Sequence, residues 1–182
     1  MRPRQSLPQL WLISDARNDA ALERAIRRLP RGSGLIVRHY HLDPAPRRAR
    51  FIELARLARR HGHMVMLAGE AAAARRWGAD GSYGAPRRLR RAPGPAWLAT
   101  AHSLAEIAAA NRAGADAVLL SPVFPTRSHP GAAALGPLRF RLLARHAAMP
   151  VIALGGMTPR RARHLAWARW AAIDGLSRRA EA

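Results

Sequence analysis

The chain of 182 residues contains no cysteine and no lysine, and its apolar runs stay well short of the roughly 20 residues that a membrane-spanning helix requires. The lack of cysteine excludes a disulfide framework and a thiolate metal site, a composition typical of cytoplasmic proteins. We therefore expect a cytoplasmic protein that does not associate with a membrane.

Acidic residues are also scarce. The sequence contains 11 Asp and Glu residues against 31 Arg residues, which gives a net charge of +20. Such a charge can attract nucleic acid. The alternative is a general bias towards Arg and Ala, with guanidinium groups spread over solvated helix faces. Arginine recurs beside Ala and Leu and forms no single stripe with interleaved aromatic residues, so we do not expect a nucleic-acid partner. The one dense patch consists of Arg87, Arg88, Arg90 and Arg91.

Strand and helix signals alternate along the whole sequence. Hydrophobic residues make up 49 % of it, and we expect one domain over residues 1–182. The predicted strands are 9–14, 35–40, 63–67, 82–83, 96–101, 116–120, 151–154 and 172–176. The predicted helices are about 19–29, 47–61, 70–77, 104–113, 138–147 and 159–168.

Eight strands with helices between them predict an α/β protein, a (β/α)8 TIM barrel. The chain is shorter than the ~250 residues typical of that fold, and no helix of normal length follows the predicted eighth strand. We therefore predict a trimmed barrel that lacks most of its last helix. A flavodoxin-like open sheet of about five strands is the alternative, but it leaves several apolar runs unused.

Two segments have the layout of ligand-binding loops that follow parallel strands: LSPVFPTRSHPG at 120–131 and VIALGGMTP at 151–159. Gly155 and Gly156 allow the backbone to approach an anion closely, and a helix that begins near Thr158 directs N–H groups towards it. A bulky residue at position 156 should therefore block the anion without disturbing the fold. The alternative is a tight turn that binds nothing.

These two segments resemble the thiamine phosphate synthase/TenI family, whose barrels carry a PTxTK loop after one strand and a Gly-Gly phosphate loop after the next. The resemblance covers nearly the whole chain. It implies thiamine biosynthesis: a hydroxymethylpyrimidine pyrophosphate is joined to a thiazole phosphate with loss of pyrophosphate. It also implies that the partners are small phosphorylated substrates.

The resemblance assigns phosphate or pyrophosphate contacts to the first loop. Thr126, Ser128 and His129 fall where the family has Thr, Thr and Lys, and the neighbouring Arg127 can supply a permanent charge. A polar surface loop is the alternative. The resemblance also places the end of the eighth strand, at Gly175, Leu176 and Ser177, against the thiazole phosphate.

Other strand ends retain the family pattern only in part. Arg38 is what remains of Gln-x-Arg-x-Lys, and it either clamps an anion or pairs with a carboxylate. Thr100 and His102 match Ser-x-His beside the reacting pyrimidine, and we assign them as candidate catalytic residues. His102 can instead serve as a structural hydrogen-bond donor.

The family implies Mg²⁺ on the pyrophosphate, but its carboxylate ligands are missing from this sequence. Ala68 and Gly69 replace Asn-Asp, and Arg88 falls where a second Asp is expected. Glu70 is the nearest remaining oxygen donor of the kind that Mg²⁺ requires, and one displaced carboxylate makes a poor site.

Three functional hypotheses follow from the sequence. The first is a thiamine phosphate synthase-like transferase with a degraded metal and pyrophosphate site, in which turnover is weak or absent while phosphate binding persists. The second is a thiazole phosphate tautomerase-like isomerase that works without Mg²⁺. The third is a non-catalytic barrel that binds phosphate or nucleic acid. A homo-oligomer is compatible with all three.

Overall fold

Eight parallel strands close into a barrel in which each strand pairs with its neighbours in chain order. The computed structural model describes residues 6–86, 96–127, 131 and 133–177. The strands are β1 Leu10–Ile13, β2 Gly34–Val37, β3 Met64–Ala68, β4 Gly81–Gly84, β5 Ala96–Ala101, β6 Ala117–Leu120, β7 Val151–Ala153 and β8 Trp170–Ala172. The helices are α1 Asp19–Arg28, α2 Pro44–Arg60, α3 Ala71–Trp77, α4 Leu104–Ala113, α5 Gly136–Ala144, α6 Pro159–Leu165 and α7 Asp174–Ser177, and a 3-10 turn covers Ala16–Asn18.

The closed barrel confirms the predicted fold and excludes the open sheet. The pairing of β1 with β8 closes it, with Leu10 opposite Trp170 and Leu12 opposite Ala172. Within the described residues, no helix has the length and apolar character needed to cross a membrane. The patch Arg87, Arg88, Arg90 and Arg91 lies outside the described residues.

The predicted position of the eighth strand is wrong. The strand ends at Ala172, and the residues predicted to continue it form the single turn α7. The turn is stabilised by the Ser177 hydroxyl, which donates to the Ile173 carbonyl at 2.7 Å. The apolar alternation of this segment is compatible with a strand, and only these contacts show that the chain has already turned.

Side chains alternate between the inside and the outside of the barrel, as the two-residue period of a strand requires. On β1, Trp11 and Ile13 belong to the buried cluster that fills the interior, whereas Leu12 packs outwards with residues of the helices such as Leu22 and Phe51. The filled interior confines any ligand to the ends of the strands.

Leu176 and Asn18 join the two sequence ends of the barrel beside α7, which spans one turn within the described residues. Leu176 packs against both outer clusters, one beside β1 and the other beside β8. The Asn18 amide donates to the Ile13 carbonyl at 3.0 Å, to the Ile173 carbonyl at 3.3 Å and to the Ser177 hydroxyl at 2.9 Å. The first and last described elements are therefore joined directly by hydrogen bonds.

A Gly34→Ala substitution is expected to destabilise the barrel interior. A Cβ atom at this position would lie 2.2 Å from Cε3 of the Trp11 indole, which is fully buried. Displacing a large ring in a filled core costs about 1–3 kcal/mol, and urea unfolding should show a lower midpoint with an unchanged slope. An unchanged midpoint would contradict the packing of Trp11 on Gly34.

Candidate active site

A large open cavity lies at the carboxyl ends of the strands, the position at which barrel enzymes bind their substrates. Its volume is about 1960 Å³. The structure brings eight of the sequence-predicted residues to its wall: Arg38, Glu70, Thr100, His102, Thr126, Arg127, Gly155 and Gly156. These residues come from five different strand ends, so the barrel brings together side chains that are far apart in the sequence.

Among the described candidates, Ser177 does not line this cavity. Ser128 and His129 lie outside the described residues. Ser177 is buried and lines a separate small cavity, because its hydroxyl joins α7 to Ile173 and Asn18. Gly175 and Leu176, the other two residues of this segment, line the main cavity, and a Cβ atom at position 175 would lie 2.1 Å from the Met157 carbonyl oxygen.

The Gly155–Gly156 segment, which follows β7, packs tightly against the loop after β6. Both glycines have positive φ, +94° and +61°. A Cβ atom would lie 2.5 Å from Cα of Pro122 at position 155, and 2.5 Å from the carbonyl oxygen of Pro125 at position 156. A side chain at position 156 would therefore displace the neighbouring loop, which corrects the expectation that it leaves the fold undisturbed.

Arg161 is a cavity residue that the sequence reasoning missed. It lies in the first turn of α6, its Nη1 donates to the Gly156 carbonyl at 2.5 Å, and its guanidinium carbon lies 5.0 Å from the centroid of the Phe124 ring. The Thr158 hydroxyl accepts from the Arg161 backbone N–H at 3.2 Å, as predicted for the residue that caps this helix. A permanent positive charge is thus held beside the two glycines.

Arg38 is the first residue after β2, and side chains hold both polar groups of its backbone. Its N–H donates to the Ser14 hydroxyl at 2.8 Å, and its carbonyl accepts from Arg47 Nε at 2.8 Å. Its own side-chain Nε is buried and has no hydrogen-bond partner among the described residues. Arg38 itself lines the cavity, and a guanidinium group offers several donors and a permanent charge suited to an anion.

The hydrogen bonds of His102 determine which of its nitrogens can act as a base. His102 Nδ1 lies 2.9 Å from the Ser121 carbonyl oxygen and 3.2 Å from the Ser121 hydroxyl. Because a carbonyl oxygen can only accept, the proton of the neutral ring resides on Nδ1 and the lone pair on Nε2. His102 therefore has both a structural contact and a nitrogen able to accept a proton.

Tyr83 lines the same cavity as a neutral phenol, since burial raises its pKa to about 12. The carboxylates on the described wall are Glu70 and Asp174, which follow β3 and β8. Within residues 6–86, 96–127, 131 and 133–177, no group of three or more His, Asp or Glu side chains is close enough to hold a metal ion.

Comparisons with known proteins agree with this architecture. The family model described as thiamine monophosphate synthase matches residues 10–176. The thiamine-phosphate synthase of Thiobacillus denitrificans is 36 % identical over 124 residues, which cover 64 % of this chain and 59 % of the relative. The thiamine biosynthesis bifunctional protein ThiED of Geobacter sulfurreducens is 28 % identical over 157 residues, which cover 82 % of this chain and 32 % of that protein.

A solved structure shares the fold. The thiamine phosphate pyrophosphorylase from Pyrococcus furiosus superimposes with a TM-score of 0.75 at 23 % sequence identity, covering 92 % of this chain and 85 % of that one. Fold and cavity thus define a (β/α)8 barrel with its candidate site at the carboxyl ends of the strands. The chain belongs to the thiamine monophosphate synthase family, and it aligns with less than two thirds of the length of either curated relative.

Proposed function

We propose that this protein is a thiamine phosphate synthase-like member of its family that retains the thiazole-phosphate side of the site and has a reduced pyrophosphate side. The observation that carries the proposal is the Gly155–Gly156 segment on the cavity wall, with the Arg161 guanidinium held beside it. Such a protein would act on small phosphorylated substrates in the cytoplasm.

The phosphate of the thiazole would lie against the Gly155–Gly156 backbone. Its oxygens need hydrogen-bond donors, and a guanidinium group offers several donors in a planar arrangement together with a permanent charge. One Arg161 nitrogen is used by the Gly156 carbonyl, which fixes the group beside the loop. Titration with thiazole phosphate is the direct test, and a failure to bind in the millimolar range would refute this half of the proposal.

The pyrophosphate would be bound by Arg38, which follows β2, and by Arg127, which lies in the loop after β6. In the synthase reaction negative charge develops on the departing pyrophosphate, and preorganised cations stabilise that charge. Both Arg38 and Arg127 line the described cavity wall, where their guanidinium groups could meet the anion. Thr126 lines the same wall, and Ser128 and His129 remain candidates from the sequence alone.

The described carboxylates do not fit the Mg²⁺ that the family resemblance implies. Mg²⁺ requires near-octahedral oxygen coordination, and Glu70 and Asp174 follow strands on different sides of the barrel. We therefore derive no step through a metal ion.

A thiazole phosphate tautomerase-like isomerase is the second candidate, and His102 is the observation that favours it. An isomerisation of the thiazole phosphate needs a phosphate site and a group that moves a proton, but no pyrophosphate site. With Nδ1 bonded to the Ser121 carbonyl, His102 Nε2 can accept that proton. Isomerisation that disappears in a His102→Asn variant with intact phosphate binding would favour this activity over the synthase.

An Arg38→Ala variant is expected to weaken the binding of inorganic pyrophosphate. A hydrogen bond to a charged group contributes about 1.5–3 kcal/mol, so the dissociation constant should rise about 10- to 100-fold. Arg48→Ala is the matched control, because it removes the same charge from an exposed position on α2. Equal effects of the two variants in a calorimetric titration would show that net charge, not Arg38, determines the affinity.

A further inference from the structure

A partly buried polar cluster is hydrogen-bonded to the Arg38 backbone. It consists of Ser14 after β1, His39 after β2, Asp19 in α1 and Arg50 in α2. Ser14 and His39 are both fully buried, and neither lines the main cavity. Buried polar groups are costly unless they are hydrogen-bonded, so this cluster needs an explanation.

The hydrogen bonds of the cluster form one continuous chain. The Arg38 N–H lies 2.8 Å from Ser14 Oγ, Ser14 Oγ lies 2.9 Å from His39 Nδ1, and His39 Nε2 lies 2.9 Å from Asp19 Oδ1. Arg50 donates to the same Asp19 oxygen through Nη2 at 2.8 Å and through Nε at 3.1 Å.

The donor and acceptor roles in this series of hydrogen bonds follow from the groups at its two ends. A backbone N–H can only donate and an ionised carboxylate can only accept, so Ser14 accepts from Arg38 and Asp19 accepts from His39 Nε2. The Ser14 hydroxyl then donates to His39 Nδ1, and every group has a partner when the ring is neutral. The pKa of His39 agrees, because burial lowers it more than the hydrogen bond that His39 donates to Asp19 raises it.

Ser14, His39 and Asp19 resemble a hydrolytic triad in composition, but the burial excludes that role. The Ser14 hydroxyl has no exposed surface, and its oxygen already accepts the Arg38 N–H. A nucleophile must reach a substrate atom, and Ser14 reaches only the protein.

The backbone conformation of His39 shows that the polypeptide is firmly held at this position. Its φ is +37°, a left-handed value that residues other than glycine rarely adopt. Such a conformation costs free energy and persists where the surroundings fix it. Both ring nitrogens of His39 are bonded, so its side chain fixes the backbone immediately after Arg38.

Beyond the last backbone pair of β1 and β2, the Ser14 side chain continues the hydrogen bonding between the two segments. The last registered pair joins Ile13 to Ile36, and the Ser14 N–H donates to the Ile36 carbonyl at 2.9 Å. The chain then enters the 3-10 turn at Ala16, and the Arg38 N–H is bonded to the Ser14 hydroxyl. Arg47 holds the Arg38 carbonyl and also donates to the Ala68 carbonyl at 2.5 Å, which ties the segment to β3.

We propose that Ser14, His39 and Asp19 are positioning residues that hold the Arg38 backbone so that its guanidinium group is preorganised for a pyrophosphate anion in the cavity. This inference rests on the proposed function, because it concerns the anion that Arg38 binds. A donor that is already in place loses less conformational freedom on binding, so the cluster contributes to affinity without touching the ligand.

A double-mutant cycle on the full chain tests this inference, with inorganic pyrophosphate as the probe in a calorimetric titration. The variants are His39→Gly, Arg38→Ala and the combination of both, and glycine is chosen because it tolerates the positive φ at position 39. His39→Gly is expected to weaken pyrophosphate binding about tenfold, and it should have no further effect when Arg38 is already Ala. Thiazole phosphate, the second probe, should bind to wild type and His39→Gly within a factor of two.

His63→Ala is the matched control for the loss of a buried imidazole. His63 is 4 % exposed, its Nε2 lies 3.0 Å from the Ile26 carbonyl oxygen, and it precedes β3 at the opposite end of the barrel. It should lower the thermal stability without changing pyrophosphate affinity. Ser14→Ala is the second test variant, in case His39→Gly does not fold, and the same non-additivity with Arg38→Ala is expected.

Three negative outcomes would overturn the inference, and they are distinguishable. If Arg38→Ala weakens binding and His39→Gly or Ser14→Ala adds its full effect in that background, the positioning role is overturned while the pyrophosphate site stands. If Arg38→Ala leaves the affinity unchanged, the pyrophosphate half of the proposed function is overturned and the positioning role with it. An equal loss of affinity in His63→Ala also overturns the inference, because it would show a general effect of destabilisation.

Discussion

A Gly156→Ala variant is expected to lose thiazole phosphate binding and to unfold at a lower temperature. The left-handed φ of +61° costs alanine about 1–2 kcal/mol, and the Cβ atom would lie 2.5 Å from the Pro125 carbonyl oxygen. Relief of that overlap requires the loops after β6 and β7 to separate, for a combined cost of about 2–4 kcal/mol. In a chain of this size the melting temperature should fall by about 5–15 °C.

The loss of phosphate affinity should exceed what the loss of stability explains. Separating the two loops moves the Gly156 carbonyl that holds Arg161, so we expect thiazole phosphate to bind at least about tenfold more weakly. Gly32→Ala is the control: its φ is +83°, and a Cβ atom there would have no neighbour within 4 Å. Unchanged affinity in folded Gly156→Ala would show that the phosphate does not bind at this loop.

The second large effect concerns turnover. We expect thiamine phosphate formation at least about 100-fold slower than in the Thiobacillus denitrificans relative assayed in parallel, because each lost stabiliser of developing charge commonly costs about 10²–10³ in rate. The family resemblance implies a metal-binding Asp where this chain has Gly69 and a Lys where it has Tyr40. Effects of groups that act together are not additive, so the total need not be their product.

The Mg²⁺ dependence of the same assay separates a slow synthase from an intact one. We expect that adding Mg²⁺, or removing it with a chelator, changes the residual rate little, because Glu70 and Asp174 are the carboxylates on the described cavity wall and lie on different sides of it. Brisk, Mg²⁺-dependent product formation would overturn the reduced pyrophosphate site and would mean that other groups have rebuilt it.

The fold could be predicted from the sequence because its signals are local. Each strand is a short apolar run that ends in polar or glycine residues, and β5 and α4 lie at the residues that the pattern indicates, Ala96–Ala101 and Leu104–Ala113. The second helix begins at Pro44, three residues earlier than predicted, because proline is tolerated in the first turn, where an N–H has no partner. The predicted eighth strand is misplaced because the residues after Ala172 form a turn, which hydrogen bonds to Asn18 at the other end of the sequence help to hold.

A residue of the candidate site could be predicted from the sequence only where it belongs to a recognisable motif. Gly155, Gly156 and Arg38 match short patterns, and all three line the cavity. Arg161 carries no such signal, since it lies among Arg160 and Arg163 in an arginine-rich helix. The series of hydrogen bonds from Arg38 to Asp19 joins residues up to 25 positions apart, and sequence spacing gives no indication of it.

The measurement that tests the central claim most directly is a pair of calorimetric titrations of the purified protein. Thiazole phosphate and hydroxymethylpyrimidine pyrophosphate are titrated separately, each with and without Mg²⁺. A retained thiazole-phosphate side and a reduced pyrophosphate side predict saturable binding of thiazole phosphate, and weaker pyrophosphate binding that Mg²⁺ does not strengthen. Tight, Mg²⁺-dependent binding of the pyrimidine pyrophosphate, with no binding of thiazole phosphate, would contradict the account.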